Sequence, residues 1–225
     1  MTVFLFDIEG TTTSIAFVTD TLFPYARANV RPFLTENWED DAVQRAVAQI
    51  RDEAEEAVNE TPDALSDEVA RQMDQDRKTT GLKSLQGLIW RAGYTDGTLK
   101  GHVYDEVPAA LRRLRADGAT LAIYSSGSIN AQKLLFAHSR AGDLTPLLSA
   151  YFDTSSGPKR EAASYINISE TLGTPADNIT FVTDVLAEAQ AARHAGMRAV
   201  LSLRTGNTPL PLDHGFETIE SFDEL

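Results

Sequence analysis

Val3-Phe4-Leu5-Phe6 places four apolar residues in a row, stopped by Asp7, and Gly10-Thr11-Thr12-Thr13 follows as loop chemistry. A run this short and uninterrupted predicts a strand buried on both faces. The next such run, Ala119-Thr120-Leu121-Ala122-Ile123-Tyr124, comes after a helical pattern. That helix opens near Pro108, carries Leu111 and Leu114 inward and closes at Gly118. Beyond Ser125-Ser126-Gly127-Ser128 another helix is predicted from roughly Ile129 to His138. Ala150-Tyr151-Phe152 is a weaker strand pattern, and Ile179-Thr180-Phe181-Val182 and Ala199-Val200-Leu201 are stronger ones. An Ala-rich helix from about Leu186 to His194 separates the last two, with Gly196 as its stop. Strands alternating with helices imply right-handed crossovers and a parallel sheet, an α/β Rossmann-like core.

The stretch 16–101 follows a different period. Val43, Val47, Ile50, Ala54 and Ala57 recur at helical spacing among Asp52, Glu53, Glu55 and Glu56, and 63–73 and 82–91 carry further helical patterns. No strand pattern occurs there. The predicted organisation is a core of residues 1–15 and 102–225 with an all-helical insert, 16–101, after the first strand. Thr205 to Gly215 reads as a Pro- and Gly-marked loop.

Composition narrows the partners. The 225 residues include 33 acidic and 20 basic side chains, a formal charge of −13. Nucleic acids and anionic membranes are bound by Lys/Arg stripes, so neither is an expected partner. A small anionic substrate needs only a few local cations or a metal and stays open. With no cysteine there is no disulfide, no thiolate nucleophile and no Cys-ligated zinc. No apolar run approaches the ~18 residues of a membrane span, and Asp7 interrupts the N-terminal run too early for a secretory signal. A cytoplasmic monomer is the expectation.

Four segments carry candidate chemistry. Asp7 ends a strand, where open parallel sheets bind ligands, and Glu9 adds a second carboxylate to the same loop. Two carboxylates held together have their pKa values pushed apart, which suits one as nucleophile or metal ligand and the other as acid/base. Ser125 and Ser126 stand between a strand and a helix, a position for a phosphate cradle. Lys159, in a loop before a helix, can reach a phosphate or neutralise a carboxylate cluster. Asp184 ends a third apolar strand with Glu188 one helical turn on, and Asp7 with Asp184 would offer hard oxygens to Mg²⁺. Each segment also has a plain structural reading: an Asx-turn at Asp7 with Glu9 solvated, an N-cap at Ser126 or Ser128, a loop lysine, and an N-cap at Asp184. His102, His138, His194 and His214 form no pair at metal spacing, and Trp38 and Trp90 fall in the insert as packing residues. No Walker loop or G-x-G-x-x-G is present, so no nucleotide cofactor is indicated.

Acid pair, hydroxyl, lysine and acid, in that order and three of them at strand ends, resemble the haloacid dehalogenase superfamily of phosphotransferases. The stretch DIEGTTTSIAFV beginning at Asp7 is similar to the enolase-phosphatase family of methionine salvage. So are Asp76-Arg77-Lys78-Thr79-Thr80, YSSGSINAQKLLF from Tyr124, and Phe181-Val182-Thr183-Asp184-Val185. The resemblance runs over nearly the whole chain, and Glu9 is specific, because most superfamily members carry a second Asp there. It implies a fold with a helical cap closing over an α/β core. It also implies Asp7 as nucleophile, Glu9 as acid/base, Lys159 as catalytic and substrate-binding lysine, and Ser125 and Ser126 as phosphate-binding residues. Asp7, Glu9 and Asp184 would be the Mg²⁺ site. The family substrate is a small phosphorylated molecule, 2,3-diketo-5-methylthiopentyl 1-phosphate, enolised and dephosphorylated to an acireductone. Two departures from the superfamily stand out: Glu9 is one methylene longer than Asp, and Thr183 precedes Asp184 where Gly is common, with Glu188 in place of the later acid. The competing readings are a generic Mg²⁺-dependent phosphatase of the superfamily and a phosphoacceptor receiver module, which lacks an insert after its first strand.

Overall fold

The short apolar runs become strands of one sheet. In the computed structural model, which describes residues 2–225, the strands are β1 Val3–Phe6, β2 Thr120–Tyr124, β3 Ala150–Phe152, β4 Ile179–Thr183, β5 Arg198–Ser202 and β6 Glu217–Ile219. The helices along the chain are α1 (Ile15–Phe17), α2 (Phe23–Glu36), α3 (Asp41–Asp52), α4 (Pro62–Asp74) and α5 (Thr80–Thr95). They continue with α6 (Val107–Ala116), α7 (Ile129–Ala137), α8 (Ala162–Leu172) and α9 (Leu186–His194). β6 is an addition to the sequence pattern. It is three residues long, and its exposed Glu217 pairs with Arg198, so it lacks the apolar signature of the inner strands.

Every neighbouring pair is parallel, in the order β3-β2-β1-β4-β5-β6. This is the doubly wound order, whose direction of winding reverses at β1 and opens a crevice beyond the carboxyl ends of the central strands. The sheet is buried on both faces. Val3 and Leu5 join Tyr124, Tyr165, Phe181 and Leu201 in one cluster, while Phe6, pointing the other way, meets Phe222 with ring centroids 5.1 Å apart. Ala189 and Ala192 on α9 lie in the first cluster, their small side chains letting the helix approach the sheet.

Register sets the site. Phe6 stands level with Ile123 of β2 and with Val182 of β4. The chain therefore leaves β1, β2 and β4 at one edge, through Asp7, Ser125 and Asp184.

Backbone contacts divide the described chain into two compact units, one running to Val18 and resuming at Lys100, the other Thr19–Leu99. Residues 16–18 stay with the sheet because Phe17 stacks on His102, rings 5.9 Å apart. The second unit is helical. Its α2 to α5 enclose a core of its own that includes Val30, Leu34, Val47, Ile50, Leu65 and Leu85, with Trp38 and Trp90 packed against it. The α3 helix is shorter than its apolar spacing suggests: it stops at Asp52, and Ala57 is exposed. The cause is Glu53, whose carboxylate leaves the helix line to accept the first N–H groups of α5, from Thr80 and Gly81, both at 2.9 Å. Arg77 donates to Glu53 O at 2.9 Å. The Asp76–Thr80 segment thus builds a helix start, and Gly81 permits it, since a Cβ there would lie 2.5 Å from Ile50 N.

Candidate active site

The loop after β1 is tied to itself. Ile8 O accepts from Thr11 N, Thr12 N and Thr13 N at 3.2, 3.0 and 2.9 Å, and Gly10 N donates to Thr13 O at 2.8 Å. Thr12 Oγ1 donates to Asp7 O at 3.1 Å. Asp7 N continues the ladder to Val182 O at 2.9 Å. Asp7 is therefore held by strand and loop together, with Ile8 N donating to its Oδ1 at 2.8 Å.

Around this carboxylate the chain brings distant residues. Lys159 Nζ lies 2.6 Å from Asp7 Oδ1 and 2.7 Å from Glu188 Oε2, with all three side chains buried. Burial works against the lysine's charge, but Asp7 and Glu188 outweigh it and hold Lys159 above its ordinary range. Two aromatic hydroxyls place that lysine. Tyr165 donates to Lys159 O at 2.7 Å, and Tyr124 donates to Gly157 O at 2.8 Å. Gly157, at φ +123°, lies so close to Ser164 that a Cβ could not be accommodated.

Thr183, the residue that departs from the superfamily's glycine, has a contact the sequence did not reveal. Its Oγ1 is 3.1 Å from Asp7 Oδ2 and 3.0 Å from Glu188 Oε2. One hydroxyl proton serves two carboxylates. Burial, then the charge of Asp7, push Glu188 up to about 7, with Lys159 pulling the other way.

The remaining predicted residues fall at the same edge. Ser125 Oγ, fully buried, donates to Glu9 Oε2 at 3.3 Å and accepts from Gly127 N at 3.2 Å. Glu9 is half-buried rather than solvated, and burial followed by Asp7 raises its pKa. Ser126 is exposed, and the N-cap of α7 is Ser128, whose Oγ accepts from Ala131 N at 3.3 Å. Asp184 is not an N-cap: that position of α9 belongs to Val185, without a side-chain bond. Its carboxylate instead faces the Asp7 loop, where a Cβ on Gly10 would come 2.5 Å from Asp184 Oδ2. Burial first, then Asp7, with Glu9 adding, push Asp184 up to about 7.

Among the described residues no three His, Cys, Asp or Glu side chains converge as a ready metal cluster. A magnesium ion does not require one, since it is commonly held by one or two carboxylates together with water and substrate phosphate. Asp7 and Asp184 offer that hard-oxygen pair. The upward push that Asp7 gives Glu9 and Asp184 is charge crowding that a divalent cation relieves. The donor set fits.

Sequence reasoning missed Thr183 as a contributor. Thr183 could have been found, since its place beside Asp7 follows from strand register. His102 is structural: its Nδ1 accepts from Ser14 N at 3.2 Å and stands 2.8 Å from Thr13 Oγ1. Burial and Arg140 lower its pKa.

Comparison with known proteins agrees with this geometry. Residues 1–196 match the haloacid dehalogenase-like hydrolase family. Enolase-phosphatase E1 of Drosophila melanogaster is 49% identical over 235 residues, covering 99% of this chain and 92% of that one. Enolase-phosphatase E1 of Synechococcus elongatus is also 49% identical, covering 100% and 98%. The crystal structure of the Saccharomyces cerevisiae UTR4 protein superposes with a TM-score of 0.87 at 32% identity, covering 100% of this chain and 99% of that one. Among the described residues no helix is long and apolar enough to cross a membrane. The chain belongs to the haloacid dehalogenase-like hydrolases and, within them, to the enolase-phosphatase E1 family.

Proposed function

We propose that this phosphatase enolises and dephosphorylates 2,3-diketo-5-methylthiopentyl 1-phosphate, releasing an acireductone and inorganic phosphate in methionine salvage. The observation that carries the reading is the buried Asp7–Lys159 contact of 2.6 Å at the switch point of the sheet, in a chain whose relatives are enolase-phosphatases.

In the phosphatase half-reactions Asp7 attacks phosphorus. The bond from Asp7 to phosphorus forms as the ester bond to the C1 oxygen breaks, and Glu9 gives that oxygen its proton. Glu9 then takes a proton from water, whose oxygen displaces phosphate from Asp7. A carboxyl with a raised pKa is suited to hold and return that proton. Lys159 and Ser125 supply positive charge and a hydroxyl toward the phosphoryl oxygens, with Ser126 at the outer edge. When bound, Mg²⁺ supplies further positive charge against those oxygens, and Asp7 and Asp184 would hold it, with Glu9 beside them. For the enolisation, the C1 protons lie next to a carbonyl. Glu9, which has no contact with Lys159 like that of Asp7, is the group we assign to remove one of them while solvent protonates the C2 oxygen.

We further assign the helical unit the part of a cap that selects the substrate, and expect the enzyme to act as a cytoplasmic monomer. The experiment is to supply the diketone phosphate and a small activated phosphate ester to the purified protein. Phosphate released together with an ultraviolet-absorbing enol supports the reading. Phosphate from the ester alone would leave only a generic phosphatase. Replacing the helical unit by a short linker should lower kcat/KM on the diketone phosphate far more than on the ester.

A further inference from the structure

The loop after β5 has no part in the chemistry above, yet it lies against the loop after β1. Arg204 Nη2 is 3.3 Å from Thr11 O and 2.5 Å from Glu106 Oε1. Three residues on, Asn207 Nδ2 donates to Gly10 O at 2.9 Å and to Ser202 O at 3.1 Å. These bonds use both protons of the amide nitrogen, and both partners are carbonyls. Turning the amide over would set oxygen against oxygen, so its orientation is fixed by chemistry. Asn207 Oδ1 must then point away from them. It is buried, and among the described residues no group donates to it.

Gly10 shows where that oxygen is aimed. A Cβ there would lie 2.8 Å from Asn207 Oδ1 and 2.5 Å from Asp184 Oδ2, and Gly10 has φ +71°. The two oxygens thus border one spot above the Gly10 backbone. Facing acceptors are unfavourable unless a donor or a cation serves both. An amide oxygen beside a carboxylate suits a hard, hydrated cation.

We propose that Asn207 is a positioning residue for the divalent cation: its Oδ1 pairs with Asp184 Oδ2 to hold the hydrated ion, while its Nδ2 fixes the Asp7 loop. This rests on the reading of Asp7 and Asp184 as the metal-holding carboxylates.

The test is titration of the full chain with Mn²⁺ alone, read from the free-ion electron paramagnetic resonance signal. Asn207→Ala should weaken Mn²⁺ binding about tenfold, the low end of what loss of an outer-shell partner commonly costs. Asn207→Asp loses the two donated bonds but keeps an oxygen and adds charge, so its affinity should stay within about threefold of wild type or exceed it. Equal weakening in both variants would make Asn207 a tether only, and unchanged binding in Asn207→Ala would remove it from the site. Asp184→Asn separates the two readings. Wild-type affinity there overturns the metal carboxylates themselves, whereas weakening there with none in Asn207→Ala overturns this inference alone. Should Asn207→Ala not fold by circular dichroism, Asn207→Ser carries the same comparison.

Discussion

Lys159 Nζ lies 2.6 Å from Asp7 Oδ1, joining the loop before α8 to the end of β1 in a buried ion pair. The same nitrogen is 2.7 Å from Glu188 Oε2, so one cation holds two acids. Removing one partner of a buried pair costs more than the pair contributes, because the other charge is left without compensation.

Lys159→Met should therefore destabilise the protein by about 3–5 kcal/mol at neutral pH. Lys159 pulls Glu188 down, so without the lysine that acid is raised further, and a carboxyl raised in the folded state is favoured where it is protonated and penalised as pH rises. The deficit should be smaller at pH about 5 than at pH about 8. Urea denaturation at the two pH values measures it, and a variant as stable as wild type at the higher pH would contradict the account.

Thr183→Val keeps the shape of the strand end and removes the hydroxyl between Asp7 and Glu188. Loss of a hydrogen bond to a charged group costs about 1.5–3 kcal/mol, so kcat should fall roughly tenfold or more if that bond positions the nucleophile. Thr183→Ser keeps the hydroxyl and should stay close to wild type. Steady-state kinetics of the pair decide the point; equal activity in all three proteins would show that the hydroxyl is dispensable.

The sequence announced the sheet and most of the residues that gather at the candidate site because both rest on local pattern. Val3–Phe6 and Ile179–Thr183 are apolar runs that only doubly covered strands need, and the acids Asp7 and Asp184 follow directly after them. What stayed hidden depends on contacts across the chain. Thr183 reads as a strand residue until register sets it beside Asp7, and Asn207 reads as a turn residue until its loop meets Gly10. The α2 helix was not resolved by pattern because Pro32 sits inside it. The α3 pattern ran on too far because apolar spacing alone cannot show that Glu53 turns away to cap α5.

His102 gives a stability effect with a definite sign. Its Nδ1 accepts a hydrogen bond from Ser14 N, and burial together with Arg140 lowers its pKa below 6.5. A histidine lowered in the folded state contributes stability that is whole above its unfolded value of 6.5 and lost as pH falls toward the folded value. Wild type should accordingly lose more stability than His102→Gln between pH about 7.5 and pH about 5.5. Parallel losses in thermal melts of the two proteins would show that this ring does not titrate with unfolding.

Exhaustive treatment with EDTA should abolish phosphate release, and added Mg²⁺ should restore it. Asp184→Asn should raise the Mg²⁺ concentration needed for half-activity, since one of two carboxylates facing the ion becomes neutral. Full activity in the chelated enzyme would contradict the metal requirement.

The central claim, that Asp7 becomes covalently phosphorylated, is tested most directly by chemical trapping. Borohydride reduces an acyl phosphate to the alcohol, so quenching turnover with it should convert residue 7 to homoserine, seen by mass spectrometry of the peptide that contains it. The account predicts this product only with substrate present, and neither the product nor phosphate release above about a thousandth of wild type in Asp7→Asn. Trapping at another carboxylate such as Glu9, or brisk phosphate release from Asp7→Asn, would contradict it.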